Sequence, residues 1–156
     1  MLLLTLAASV ASGCSGSGGA VSVRWRIAER STGALHDPRD VADASGTCCA
    51  VRDSQLGCAG QPGWHITRVR LELTEILAEE GTEQPLANPP AGLDAPCRSR
   101  ELTTPFELPT GTFAVALKAF DPAAPDAIEA ESPSAEIRTI HRAEIVSLDV
   151  VELSVE

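Results

Sequence analysis

Four stretches of this chain alternate apolar and polar residues with a period of two, the pattern that buries one face of a β-sheet. Val21, Val23, Trp25 and Ile27 alternate with Ser22, Arg24, Arg26 and Ala28. Val69, Leu71 and Leu73 alternate with Arg70 and Glu72, and Phe113, Val115, Leu117 and Ala119 repeat the pattern. A final stretch over 144–155 does the same, with its inward phase switching near Val150 and Val151, which signals a bulge or a change of sheet. Ile66, Val69, Leu73, Ile76 and Leu77 also fit a helical spacing. Their β-branched neighbours and the strict charge alternation favour a strand through Thr74, with a helical turn over 75–80. Shorter strands are expected over 48–51, between 98 and 108, and over 135–141. Residues 30–47, 81–96 and 122–133 read as loops rich in Gly, Pro, Asp and Ala. The pattern predicts a single all-β domain, an antiparallel β-sandwich of about seven strands.

The cysteines limit the fold further. There are five, and an odd thiol in an exported chain needs a reason. The opening run, Met1 to Ala11, is apolar and uncharged, and is too short for the roughly 20 residues that span a bilayer. It leads into Ala11-Ser12-Gly13-Cys14 and then Ser15-Gly16-Ser17-Gly18-Gly19. This junction resembles the lipobox of bacterial lipoproteins, in which small residues precede a cysteine that is joined to diacylglycerol and becomes the mature N-terminus. The resemblance implies a signal peptide over 1–13, a lipidated Cys14 on a Gly/Ser tether over 14–20, and a β-sandwich over 21–156. It also implies palmitate on Cys14 and, with Ser15 following, sorting to the outer membrane. Cleavage after Ala11 without lipid, leaving Cys14 as a spare thiol, is the competing outcome.

Lipidation of Cys14 leaves Cys48, Cys49, Cys58 and Cys97, an even set in an oxidising compartment. Structural zinc sites favour two close Cys-x₂₋₄-Cys pairs, and this spacing lacks them. Disulfides and no metal are therefore expected, and no cofactor. Adjacent cysteines bond to each other only with strain, so Cys48 and Cys49 are each expected to pair with one of Cys58 and Cys97. A Cys58–Cys97 bridge beside a vicinal or free pair at 48–49 is the alternative.

Two further segments resemble the prealbumin-like, carboxypeptidase regulatory-like modules of bacterial secreted proteins. Leu108-Pro109-Thr110-Gly111-Thr112-Phe113-Ala114-Val115 is similar to that family's turn and strand, and Ile145 to Val155 is similar to its closing strand. The resemblance covers 66–156 and implies a disulfide-stabilised, Ig-like or prealbumin-like sandwich without catalytic residues, acting as a spacer, folding support or adhesive unit.

Charge excludes one class of partner. Twelve Lys and Arg face 22 Asp and Glu for a net charge of −10, which is a poor surface for nucleic acid. No Gly-x-Ser-x-Gly is present, and His65 and His141 read as solvated loop residues. Glu72, Glu75, Glu79, Glu80 and Glu83 read as a solvated edge rather than a glycosidase pair. Asp37, Asp40 and Asp43 are spaced by three where calcium loops space their ligands by two.

Arg24, Arg26, Arg68 and Arg70 would line one outer face if their strands were neighbours, and Trp64 after Pro62-Gly63 offers an aromatic platform. The expected function is that of a non-enzymatic envelope lipoprotein, tethered to the membrane by its lipid and serving a structural or protein-interaction role. The alternative is a ligand-binding module for sugars or anionic envelope polymers using the Arg and Trp64 face. Intact-mass measurement on the native membrane fraction should find a chain that starts at Cys14, carries acyl mass, and exposes four labelled thiols only after reduction. A chain starting at Ser12 without lipid contradicts the anchor.

Overall fold

The computed structural model describes residues 18–77, 82–86, 89, 93–121, 123, 128–132 and 134–156. Residues 1–13, Cys14, Glu79 and Glu80 lie outside that set. In chain order the strands are β1 (Ala20–Glu29), β2 (Leu35–His36), β3 (Cys48–Cys49), β4 (His65–Ile66), β5 (Arg68–Leu77) and β6 (Thr82–Pro85). They continue with β7 (Asp94–Pro96), β8 (Glu101–Thr103), β9 (Gly111–Phe120), β10 (Ile128–Glu131), β11 (Glu136–Ile140) and β12 (Ile145–Val155). A one-turn helix, α1 (Pro38–Val41), and a 3₁₀ turn over Cys97–Ser99 complete the described elements.

The four alternating stretches become the four long strands, and each buries the face its sequence marks. Val21, Val23, Trp25 and Ile27 are buried on β1; Val69, Leu71 and Leu73 on β5; Phe113, Val115, Leu117 and Ala119 on β9. On β12 the buried set moves from Leu148 to Leu153 and Val155, a change of parity. Its cause is a bulge: Ser22 faces Ser147, but Arg24 faces Val150, so β12 carries one residue more than β1 at this point. All four strands contribute to one core cluster, to which Cys48, Cys97, Trp64 and Ile66 also belong.

The strand order corrects several expectations. Ten strands form one mixed sheet, ordered β2-β1-β12-β10-β9-β5-β6, with β11 also on β9, β7 on β5 and β8 on β1; β3 and β4 pair separately. The sheet is not wholly antiparallel, because β1 and β12 run parallel. Hairpins give antiparallel neighbours, but these two strands stand at opposite ends of the sequence, and no turn dictates their relative direction. The helical turn expected over 75–80 gives way to strand through Leu77, because Thr74 to Leu77 pair with β6 on one side, with β9 holding Thr74 and Glu75 on the other. Residues 81–96 and 30–47 are not simple loops: they supply β6 and β7, and β2 and α1. The segment 65–74 is broken at Thr67, with His65 and Ile66 paired to β3.

The fold also begins earlier than the tether reading placed it. Gly18 and Gly19 are pinned by bonds from the Gly18 amide to the Phe106 carbonyl and from the Gly19 amide to the Leu108 carbonyl. A Cβ on Gly19 would stand 2.4 Å from the His141 carbonyl oxygen, so only glycine passes through this slot. Leu117, fully enclosed between the long strands, tests the core. Leu117→Ala should lower unfolding free energy by about 2–5 kcal/mol in urea titration, with little change in the slope against denaturant.

Candidate functional site

The loops between β1 and β5 are organised by two bridges and one carboxylate. Cys48 and Cys49 occupy a strand, so their side chains leave on opposite sides. Each therefore finds its own partner: Cys48 bonds Cys97, with Cα atoms 5.9 Å apart, and Cys49 bonds Cys58, at 5.7 Å. Both separations lie inside the normal range for disulfides. The pairing is of the preferred kind, with neither a vicinal bond nor a Cys58–Cys97 bridge. Loop closure over separations of 49 and 9 residues corresponds to about 4 and about 2.7 kcal/mol in the chain-entropy picture. Trp25 donates its indole N–H to the Cys97 carbonyl at 3.3 Å, tying the first bridge to the centre of β1.

Asp43 is the polar counterpart of the bridges. Its Oδ1 accepts from the Ser45 amide, the Ser45 hydroxyl and the Thr47 amide, and its Oδ2 accepts from the Cys58 amide at 3.1 Å. One side chain thus spans the segment before Cys48 and the segment holding Cys58. Desolvation pushes its pKa up, but the hydrogen bonds from Ser45, Cys58 and Thr47 together outweigh it and hold the carboxyl below its ordinary value. Asp37 caps α1 by accepting from the Arg39 amide and meets the Arg100 guanidinium at 2.8 Å. The amide bond from Arg39 is the largest cause of its lowered pKa, with Arg100 adding to it against desolvation.

These contacts settle how the sequence candidates are arranged. Asp37 and Asp43 are turned toward separate partners, and among the described residues no group of three or more His, Cys, Asp or Glu side chains gathers to hold a metal. His65 shares a cleft of about 430 Å³ with Asp43, Ser45, Thr47 and Asp121. Its Nε2 lies 2.9 Å from the Cys58 carbonyl, while the Ser45 hydroxyl donates to Asp43, so the cleft holds no Ser–His hydrogen bond. His141 is exposed at the turn before β12.

The four arginines do not form one face. In the sheet, β1 and β5 are separated by β12, β10 and β9. Arg24 faces Glu101 and Val150 across its neighbours, and Arg26 faces Glu152. Arg68 and Arg70 lie over the Phe120 ring at 4.5 and 5.5 Å, and Arg70 also makes a two-pronged bond to Asp94 at 2.8 and 3.0 Å. That bond, with the Asp94 charge, raises the Arg70 pKa further. Glu72 pairs with Lys118 at 2.7 Å. Asp94 stands opposite Arg70 in the β5–β7 register, so this pair follows strand pairing rather than proximity along the chain.

Trp64 is a second correction. It is only 3% exposed, part of the core cluster and tilted against the His36 ring at 6.2 Å, so it is not an open aromatic platform. Its indole N–H is buried without a hydrogen-bond partner among the described residues. Trp64 nevertheless lines a cleft of about 550 Å³ together with Arg30, Ile128, Glu129, Glu131 and Ser154. Sequence reading missed Arg30, Glu129 and Glu131, which lie in loops or short strands without periodicity. The Asp43-Ala44-Ser45 triplet was a readable turn signal for the Asp43 clamp.

The chain matches no family model, and no significant match was found among curated proteins or solved structures.

Acid stability should expose the Asp43 clamp. A carboxyl whose folded-state pKa lies below its ordinary value near 3.8 contributes stability above that value and loses it as pH falls through the folded-state pKa. Thermal unfolding from pH 6 to pH 2 should therefore show a fall in midpoint below about pH 4 that is smaller in Asp43→Asn. Asp43→Ala should cost about 1–3 kcal/mol at neutral pH. An identical acid limb in wild type and Asp43→Asn would remove the clamp from the explanation.

Proposed function

We propose that this chain is a non-enzymatic envelope lipoprotein, held at the outer membrane by lipid on Cys14 and serving a structural or protein-interaction role. The observation that carries the reading is the cysteine pairing. Cys48, Cys49, Cys58 and Cys97 satisfy one another completely, which leaves Cys14 as the odd thiol of five, at the position the lipobox resemblance gives to the lipid. Gly18 and Gly19, which follow Cys14 by four and five residues, are themselves bonded to the fold. Among the described residues no helix is long and apolar enough to cross a membrane.

The body that the lipid would hold is read as an Ig-like or prealbumin-like sandwich. Supporting this, the β1–β12 part of the sheet joins the β9–β5 part through a single bridge between Glu131 and Ser154, yet both parts bury side chains in one cluster. Exposed Ile137 and Ile145, with Val150, give β11 and β12 apolar surface of the kind used in protein contacts.

The second reading, a ligand-binding module, has the cleft lined by Trp64, Arg30, Glu129 and Glu131 as its candidate place. The same cleft argues against anionic polymers, since Glu129 and Glu131 stand on its wall in a chain of net charge −10. Membrane fractionation tests the first reading. Wild type should sediment with outer membranes and enter the detergent phase, whereas Cys14→Ala should be soluble with both bridges intact. A Cys14→Ala protein that stays with the membrane would overturn the lipid anchor.

A further inference from the structure

We propose that the cleft between α1 and the 3₁₀ turn at Cys97–Ser99 is a binding site for a phosphoryl group, separate from the cleft beside Trp64 and independent of lipid on Cys14. Its volume is about 420 Å³, and it is lined by Arg39 of α1, Ser45 and Gly46 of the following loop, and Pro96, Arg98 and Ser99. These segments are fixed to each other. Cys48 is bonded to Cys97, the Arg98 amide donates to the Gly46 carbonyl at 3.3 Å, and Arg100 reaches Asp37 at the head of α1. A Cβ on Gly46 would stand 3.6 Å from that of Pro96 and 3.9 Å from that of Arg98, so the loop lies directly against the turn.

Charge and hydrogen bonding both point to phosphate. In a chain with 22 Asp and Glu against 12 Lys and Arg, this lining holds two arginines and no carboxylate. Arg39 and Arg98 are exposed, and neither makes an ion pair among the described residues. Arg39 acts on Asp37 through space, but the Asp37 oxygens accept from the Arg39 amide and the Arg100 guanidinium. Asp43 has both oxygens engaged, by Ser45, Thr47 and Cys58. The Ser99 hydroxyl makes no hydrogen bond among the described residues and adds a donor to the two guanidinium groups. One guanidinium fork fills a carboxylate. A phosphate monoester presents three acceptor oxygens and about two negative charges, and so takes a fork from each arginine with oxygen left for the hydroxyl.

A phosphate ester can come from a soluble molecule or from the headgroup of a membrane lipid, and the test separates the two. In ¹H–¹⁵N spectra of the full chain with both bridges intact, millimolar ethyl phosphate should move the Gly46 and Ser99 amide peaks and the Arg39 and Arg98 Nε peaks. Acetate and chloride at the same ionic strength should leave them in place. Arg39→Gln and Arg98→Gln should each weaken binding by roughly tenfold, and together they should abolish it. Arg142→Gln, which removes an exposed arginine at the turn before β12, should not alter it. The Trp25 indole peak, which reports the bond to the Cys97 carbonyl, certifies the fold of each variant.

Flotation of Cys14→Ala protein with phosphatidylcholine vesicles only when they contain phosphatidic acid, lost on replacing Arg39 and Arg98, would support the site with a lipid headgroup as its ligand. Ethyl phosphate binding without flotation would support it with a soluble ester. Absence of any shift at millimolar ethyl phosphate would overturn the site, as would shifts that survive the double replacement or that acetate reproduces. Shifts confined to other parts of the protein would overturn it while leaving ligand binding elsewhere.

Discussion

The first long strand and the last lie side by side, and the rest of the molecule depends on that contact. Nine residue pairs run from Ala20 against Ile145 to Glu29 against Val155. Without β12 alongside, β1 would keep only the short β2 and β8 as neighbours, and Trp25 would lose much of the wall that encloses it. Nothing local favours the pairing, since almost the whole chain is the connection between its halves. Hydrophobic burial on both strands has to offset the closure of that long loop. A contact map dominated by such distant pairings also places this domain among the slower folders.

A second set of constraints serves what the sheet leaves open. The segment between β1 and β5 has few regular backbone bonds, so its order comes from Cys48–Cys97, Cys49–Cys58, the Asp43 clamp and the Asp37–Arg100 pair. Cys48 and Cys97 share the core with Trp25 and Ile66, whereas Cys49 and Cys58 knit the outer loop to itself. This division explains how a chain with only five aromatic residues, three Phe and two Trp, holds a long irregular region in place. Covalent closure and a charged acceptor substitute for the aromatic bulk that larger cores use.

Legibility in the sequence follows the range of the forces involved. The phases of β1, β5 and β9, and the bulge on β12, are written in a period of two and can be read from adjacent residues. Short strands cannot. β6 and β7 each end on proline, Pro85 and Pro96, which reads as a loop signal but is equally at home on the outer side of β5, where no further strand needs the missing N–H. The arginine stripe failed because it assumed an order of strands, and order is decided by the whole chain. Trp64 failed for a related reason: Pro62-Gly63 marks a turn, but a turn can fold its next residue into the core as readily as expose it. The cysteine pairing was legible in kind because strand alternation separates neighbours, whereas which distant partner each takes depends on the tertiary fold.

Parallel alignment of β1 and β12 has a mechanical side. Force entering the fold at Ala20, where the pinned glycines hand over to β1, and leaving near Val155 would pull the two strands past each other along their length. In that geometry the backbone bonds between them resist together rather than opening one after another. A protein tethered through its N-terminal segment and gripped near the end of β12 would therefore yield as a sheared block, with the bulge at Leu148 to Val150 as the one place where the two strands are out of step.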